Sequence, residues 1–337
     1  MKMTSLAVAV VRSLQDLGTP RPGETVVVAL SGGADSVALL DALHETGRRQ
    51  GFRVVAAHLY HGLRPAAAMD AAFCGNLCAR FGIPIHVGLA DVRGRAGRDG
   101  AGLEAAAREE RYAFLQRVAE SEAAGAIAVA HTRDDQAETF LLRLLRGAGS
   151  AGLGSMRARG GRLIRPLLEV GRREVLEHLR ARGLEWREDE TNADMRFARN
   201  RVRHELLPYL ERHFNPGVRE TLARTAALLS DEHEGVAERA RELYRQASRR
   251  GPEGVLLDGA ALSRAPRPLA RQVVRAALLE AGGLRQVKAA HVERILEVSS
   301  RAGRSGRRLP LPGGREAVFR FGQVRIGARD EAGEARS

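Results

Sequence analysis

Four short runs rich in β-branched and apolar residues, Glu24 to Leu30, Arg53 to Leu59, Pro84 to Leu89 and Ala126 to Ala130, punctuate the first part of the chain. Between them lie stretches with helical spacing: Ser36 to Arg48, Asp70 to Phe81, Leu103 to Glu122 and Asp135 to Leu145. This alternation predicts an α/β domain, a doubly wound parallel sheet with helices on both faces and ligands beyond the carboxyl ends of its strands. Clustered Gly and Ser from Gly147 to Gly161 break the rhythm and read as a flexible crossing or lid. A short link through Arg165 and Pro166 leads to a helix over Arg172 to Arg182. The polar, charge-dense stretch from Trp186 to Arg203 then has the character of a site rather than a core. Helical periodicity resumes over Leu206 to Arg245, interrupted at Asn215 and Pro216. From Gly254 a smaller unit follows, with helices over Pro268 to Ala281 and Ala289 to Val298 and hairpin turns at Gly313-Gly314 and Gly322-Gln323. Three segments are expected: the α/β domain over 1–205, a helical linker over 206–250 and a small α+β domain over 251–330.

Composition narrows the class. The 337 residues leave room for two ordinary cores, and 44% hydrophobic with 28% charged residues is the balance of a globular chain, not a disordered one. The apolar run Leu6 to Val11 falls far short of the ~20 residues of a membrane span, and no cleavable signal pattern follows Lys2. A cytoplasmic protein without membrane contact is expected. The net charge of +13 points to a polyanionic partner. It is unevenly placed: Met1 to Ser150 hold 17 basic and 16 acidic residues, the remainder 37 and 25. The two cysteines, Cys74 and Cys78, share one helix face without any metal-ligand spacing, which fits small core residues better than a sulfur relay.

The chemistry begins where the first strand ends. Ser31-Gly32-Gly33-Ala34-Asp35-Ser36 turns from strand into helix. Its two glycines permit close backbone approach, and the helix amides and dipole favour an anion. Ser31 and Ser36 add hydroxyls, and a carboxylate at Asp35 makes sense beside phosphates chiefly as a Mg²⁺ ligand. Neither GxxxxGK[ST] nor a GxGxxG turn is present here. SGGADS resembles the signature of the PP-loop, or N-type, ATP pyrophosphatases, which implies an adenine nucleotide α-hydrolase-like fold, ATP with Mg²⁺ and AMP-forming chemistry.

Further strings narrow the resemblance: His58-Leu59-Tyr60-His61-Gly62-Leu63-Arg64, Gly102 to Arg108 with Arg111-Tyr112, His131-Thr132-Arg133-Asp134-Asp135-Gln136-Ala137-Glu138-Thr139, Asp189-Glu190-Thr191-Asn192 and Arg199-Asn200-Arg201-Val202-Arg203-His204. In this order they resemble the tRNA(Ile)-lysidine synthetase family from about Val26 through the final small domain. The resemblance implies that ATP adenylates the wobble cytidine of a CAU-anticodon isoleucine tRNA, that free L-lysine then displaces AMP, and that the protein forms a homodimer. It also implies roles. Asp35 and Asp135 share Mg²⁺, His131 contacts phosphate or moves a proton, and Glu138 binds or deprotonates the lysine amine. Arg108 and Arg111 clamp phosphate or the cytidine nucleotide, Arg199, Asn200 and Arg203 touch tRNA or ATP, and His58 lines the adenine side. On the residues alone, Glu138 equally complements a helix N-terminus, paired helix arginines are commonly a solvated face, His58 suits a structural place, and Trp186 suits a core.

Two departures stand out. Pro65 to Met69 and Asp70 replace the Ser and Glu usual after the His61 motif, and longer members of the family carry a second C-terminal domain beyond the position of Ser337. The basic second half, with the small domain as its tRNA-binding module, is therefore expected to carry more of the grip on tRNA. Another PP-loop enzyme such as a tRNA thiolase is the principal rival. It requires reactive thiolates or an iron–sulfur cluster. A non-catalytic RNA-binding module on a relic nucleotide fold is the other, and the intact loop argues against it.

Overall fold

The computed structural model describes residues 3–60, 66–90, 103–154, 156–188, 194–300 and 306–329. His61 to Pro65, Gly102 and Asp189 to Asn192, which carry part of the resemblance, lie outside the described residues. The chain divides into two compact units, Met1–Ser230 and Asp231–Ser337, a cut that falls within the stretch expected to be a linker.

In the first unit, α1 (Ser5–Leu17), β1 (Thr25–Ala29), α2 (Ala34–Gln50), β2 (Arg53–Tyr60), α3 (Ala66–Phe81), β3 (Ile85–Leu89), α4 (Leu103–Ser121), β4 (Ala126–Ala128) and α5 (Arg133–Leu144) follow the expected alternation. Next come α6 (Ser150–Leu153), β5 (Arg159–Gly160), β6 (Leu163–Ile164) and α7 (Arg172–Arg182). Strand order is β3-β2-β1-β4-β6-β5, parallel except for β5 against β6. Alternation along β1 seals both faces: Val26 and Val28 join the core with α1, α2, α3 and α7, while Val27 joins Phe114, Leu115 and Val118 of α4. The chain leaves β1 toward β2 on one side and reaches β4 on the other. The crevice outside the carboxyl ends of β1 and β4 is thus the switch point where such sheets bind ligands.

The glycine-rich stretch expected as a lid is partly built into this scaffold. It forms α6 and the β5–β6 hairpin, with Gly161 at φ +64° in the turn. A Cβ on Gly154 would sit 2.5 Å from the Ser230 nitrogen, so glycine there serves close packing.

α8 (Ala198–Arg201) runs through a π-turn over Val202–Leu206 into α9 (Leu207–His213), and α10 (Val218–Ala247) follows the break at Asn215 and Pro216. Pro208 lacks the N–H that regular helical bonding needs, which fits a widened turn just before it. The second unit adds β7 (Ser248–Gly251), β8 (Gly254–Asp258), α11 (Gly259–Arg264), α12 (Arg267–Glu280), α13 (Ala289–Ser299), β9 (Arg308–Leu311), β10 (Arg315–Arg320) and β11 (Gln323–Ala328). Its antiparallel sheet, ordered β7-β8-β11-β10-β9, packs Leu257, Phe319, Val324 and Ile326 against Val273, Val274 and Ile295 of the helices. Among the described residues, no helix is long and apolar enough to cross a membrane.

Candidate active site

The glycine-rich turn closes on itself before it offers anything to a ligand. Ser36 Oγ donates to the Gly33 carbonyl at 2.8 Å and accepts from the Ser31 amide at 3.2 Å, and the two serine hydroxyls lie 3.1 Å apart. The hydroxyls expected to reach phosphate therefore brace the loop. Gly32 takes φ +85°, and α2 begins at Ala34 with no side-chain cap, because its N-cap is Gly33. The first amides of a 17-residue helix are left pointing into the crevice, the arrangement an anion requires. From beneath, the Arg187 amide donates to the Gly32 carbonyl at 2.9 Å. His58, 3% exposed, donates from Nδ1 to the Leu30 carbonyl at 2.8 Å, while its buried Nε2 has no hydrogen-bond partner. In this arrangement His58 anchors the end of β1.

Across the switch point, Thr132 caps α5 in a capping box. The Thr132 amide and hydroxyl both donate to Asp135 Oδ2, at 2.9 and 3.1 Å. Asp135 Oδ1 accepts from Arg199 Nη2 at 2.6 Å, and Glu138, one turn on, is fully buried. Glu138 accepts from Arg199 Nε at 2.8 Å and from Arg203 Nε at 2.5 Å. Asn200, between the two arginines, donates to the Asp194 carbonyl at 2.9 Å and is itself buried. The residues expected to face tRNA thus pair with the acidic edge of α5. Glu138 holds two guanidiniums where a lysine amine was expected, and a basic helix face closes over the carboxylates.

Arg172 ties the two sides together. Its Nη1 donates to Asp35 Oδ1 at 2.9 Å and its amide to Asp134 Oδ2 at 2.8 Å. Burial holds the Asp35 carboxyl above its ordinary range, with the Asp135 charge adding to the rise and Arg172 opposing it. Burial also pushes Asp135 upward, but Arg199, the Thr132 amide and His131 outweigh it and the net shift is downward. Two carboxylates that feel each other at the mouth of a phosphate-type loop suit a divalent cation.

His131 ends β4. Arg165 Nε donates to its Nδ1 at 3.2 Å, and Arg165 Nη1 donates to the Arg157 carbonyl at 2.6 Å. Burial, reinforced by Arg165, pushes the imidazole down to about 4, so near neutrality it carries its single proton on Nε2. Nε2 is then the ring nitrogen free to donate a hydrogen bond. Arg165, read from sequence as part of a link, is the partner of His131 that motif reasoning missed. Arg108 lies 5.1 Å over the Tyr112 ring, and burial holds Arg111 below its usual value. Cys74 and Cys78 sit in the core, where burial pushes their thiols up to about 12 and about 11. These are not reactive thiolates.

An uncapped Gly-Gly loop at a switch point, with carboxylates on both flanks, defines a PP-loop nucleotide site. A family model described as a PP-loop domain matches residues 6–210, and one described as the TilS substrate binding domain matches 257–324. A tRNA(Ile)-lysidine synthase of Thermobifida fusca is 40% identical over 324 residues, 95% of this chain and 96% of that protein. The chain belongs to the tRNA(Ile)-lysidine synthase family. A tRNA(Ile)-lysidine synthase of Geobacter sulfurreducens is 42% identical over 302 residues; the match takes in 88% of this chain but only 63% of that protein's length. The U34-tRNA thiolase NcsA of Methanococcus maripaludis, solved with a 4Fe–4S cluster, superposes with a TM-score of 0.56 at 18% identity, covering 67% of this chain and 78% of that one. That likeness concerns the fold alone.

Proposed function

We propose that the chain forms lysidine in an isoleucine tRNA with a CAU anticodon. The cytidine O2 attacks the α-phosphorus of ATP and pyrophosphate leaves. The ε-amine of free L-lysine then attacks C2, AMP departs with the C–O bond electrons, and the amine loses its proton. The observation that carries this reading is the pairing of the uncapped α2 amides with Asp35 and Asp135 across the switch point.

The residues fit the groups they would hold. The amides of Ala34, Asp35 and Ser36 suit the phosphates, and Asp35 with Asp135 suits Mg²⁺, which when bound shields the triphosphate. His131 donates from Nε2 to a phosphate oxygen, fixed in that state by Arg165. Arg199 and Arg203, anchored on Glu138, keep a positive face beside the reacting nucleotide. Arg108 and Arg111 remain assigned to the nucleotide, and the second unit to tRNA. Buried, unionised cysteines give a thiolase reading no support.

Isoleucine tRNA incubated with the protein, Mg-ATP and L-lysine, digested and analysed by nucleoside mass spectrometry, should contain lysidine, with pyrophosphate released only when tRNA is present. Unmodified cytidine, or a thiolated product when a sulfur donor is added, would reject the assignment.

A further inference from the structure

The sheet of the second unit packs its helices on one face. On the other, a single row crosses all five strands: Arg249 opposes Leu256, Leu256 opposes Arg325, Arg325 opposes Val318, and Val318 opposes Arg308. Basic and apolar side chains alternate along this row. On this row lies a pocket of about 270 Å³ whose lining includes Arg308, Arg320, Arg325 and Phe321 together with Glu253 and Gln323. Phe321 is 91% exposed at the tip of the β10–β11 hairpin. With φ +49° it occupies the first place of a two-residue turn, ahead of Gly322 at φ +75°, where Asn, Asp or Gly is favoured. Neither packing nor turn chemistry explains a phenyl ring there.

The charges decide what fits. Glu316, nearly buried, is shared by Arg308 and Arg325, at 3.5 and 3.1 Å. Glu253 lies 3.5 Å from Arg325, and Asp258 is spent capping α11. Arg249 and Arg320 are exposed and add positive charge. The pocket is just below the ~300–1,000 Å³ of small-molecule sites, room for one nucleotide rather than a duplex. An aromatic ring beside an arginine-lined groove is how sequence-tolerant sites take unpaired nucleotides.

We propose that this pocket holds one unpaired RNA nucleotide, its base stacked on Phe321 and its phosphate against Arg320 and Arg308. The proposal rests on the reading that the substrate is a tRNA, and it assigns the second unit a contact separate from the phosphate loop.

In the full chain, Phe321→Trp places a fluorophore at the tip. Its emission should be quenched by isoleucine tRNA and by a short unstructured RNA oligomer. Phe321→Ala should weaken RNA binding roughly five- to a hundredfold, the usual range for one lost stacking contact, with an unchanged thermal melt. Arg320→Ala should lower the slope of log affinity against log salt by about 0.7. Unquenched Trp emission with unaltered RNA affinity in Phe321→Ala would overturn the proposal, as would RNA affinity that falls only because the melt falls. If the unsubstituted protein makes lysidine while both Phe321 variants bind tRNA normally, the pocket assignment alone fails. If it neither binds tRNA nor makes lysidine, the functional reading fails with it.

Discussion

Arginine is abundant in both units, but its charge is matched differently beside the phosphate loop of the first and on the sheet face of the second. In the first unit Arg199 and Arg203 lie against Asp135 and Glu138, Arg172 against Asp35 and Arg219 against Asp134. On the sheet face of the second unit Arg308 and Arg325 share the buried Glu316, Arg325 also meets the exposed Glu253, and the exposed Arg249 and Arg320 add further positive charge. The matched set fixes geometry around a reaction, because paired guanidiniums and carboxylates constrain one another's direction. The unmatched set supplies attraction to a polyanion, which is long-ranged and salt-sensitive. Substitutions in the two sets should therefore separate into rate effects and affinity effects.

The largest expected effect lies at the carboxylates nearest the loop. Asp35→Asn or Asp135→Asn should cut pyrophosphate release by about a thousandfold, the scale of losing preorganised electrostatics at a phosphoryl centre. Affinity for tRNA should change little. Substantial release in both variants would remove them from the metal site and dissolve the contrast between the units.

Glu138→Gln ranks next and is a stability effect first. It leaves Arg199 and Arg203 facing a neutral amide at a fully buried position. Losing one partner of a buried pair costs ~3–5 kcal/mol, which solvent at the partly exposed arginines trims to about 2–4 kcal/mol. Denaturant melts would register that loss, and a stability equal to the parent chain would mean that the arginines do not depend on Glu138.

The same comparison indicates where sequence was informative. The parallel sheet was legible because β1, β2 and β4 are buried on both faces and read as continuous apolar runs, and the loop was legible because its chemistry is local. The pairing of Arg199 and Arg203 with carboxylates is not legible in sequence, because four-residue spacing identifies a shared face but not what that face meets. Their partners Asp135 and Glu138 lie more than 60 residues earlier. Arg165 carried no signal, since a lone arginine before Pro166 becomes informative only when β6 is laid beside β4. The basic row of the second unit was hidden for a related reason: it exists across strands, and register cannot be read along a single one.

The smallest effect sharpens the contrast most finely. Arg165→Met removes the donor that holds His131 Nδ1 and one of the charges that lower its pKa, while burial, the largest cause, remains. The imidazole should therefore titrate above about 4 but still below an exposed histidine, and it should sample both neutral tautomers. Nitrogen chemical shifts of His131 would record both changes. Protonation of His131 in the variant should add a deviation on the acid side of the activity profile, at a higher pH than in the parent. Above that limb the rate should fall only several-fold, since Nε2–H is still available for part of the time. An unshifted imidazole with full activity would mean that Arg165 merely packs beneath the site; a shifted imidazole with the tRNA affinity unchanged would place it with the matched arginines that set geometry.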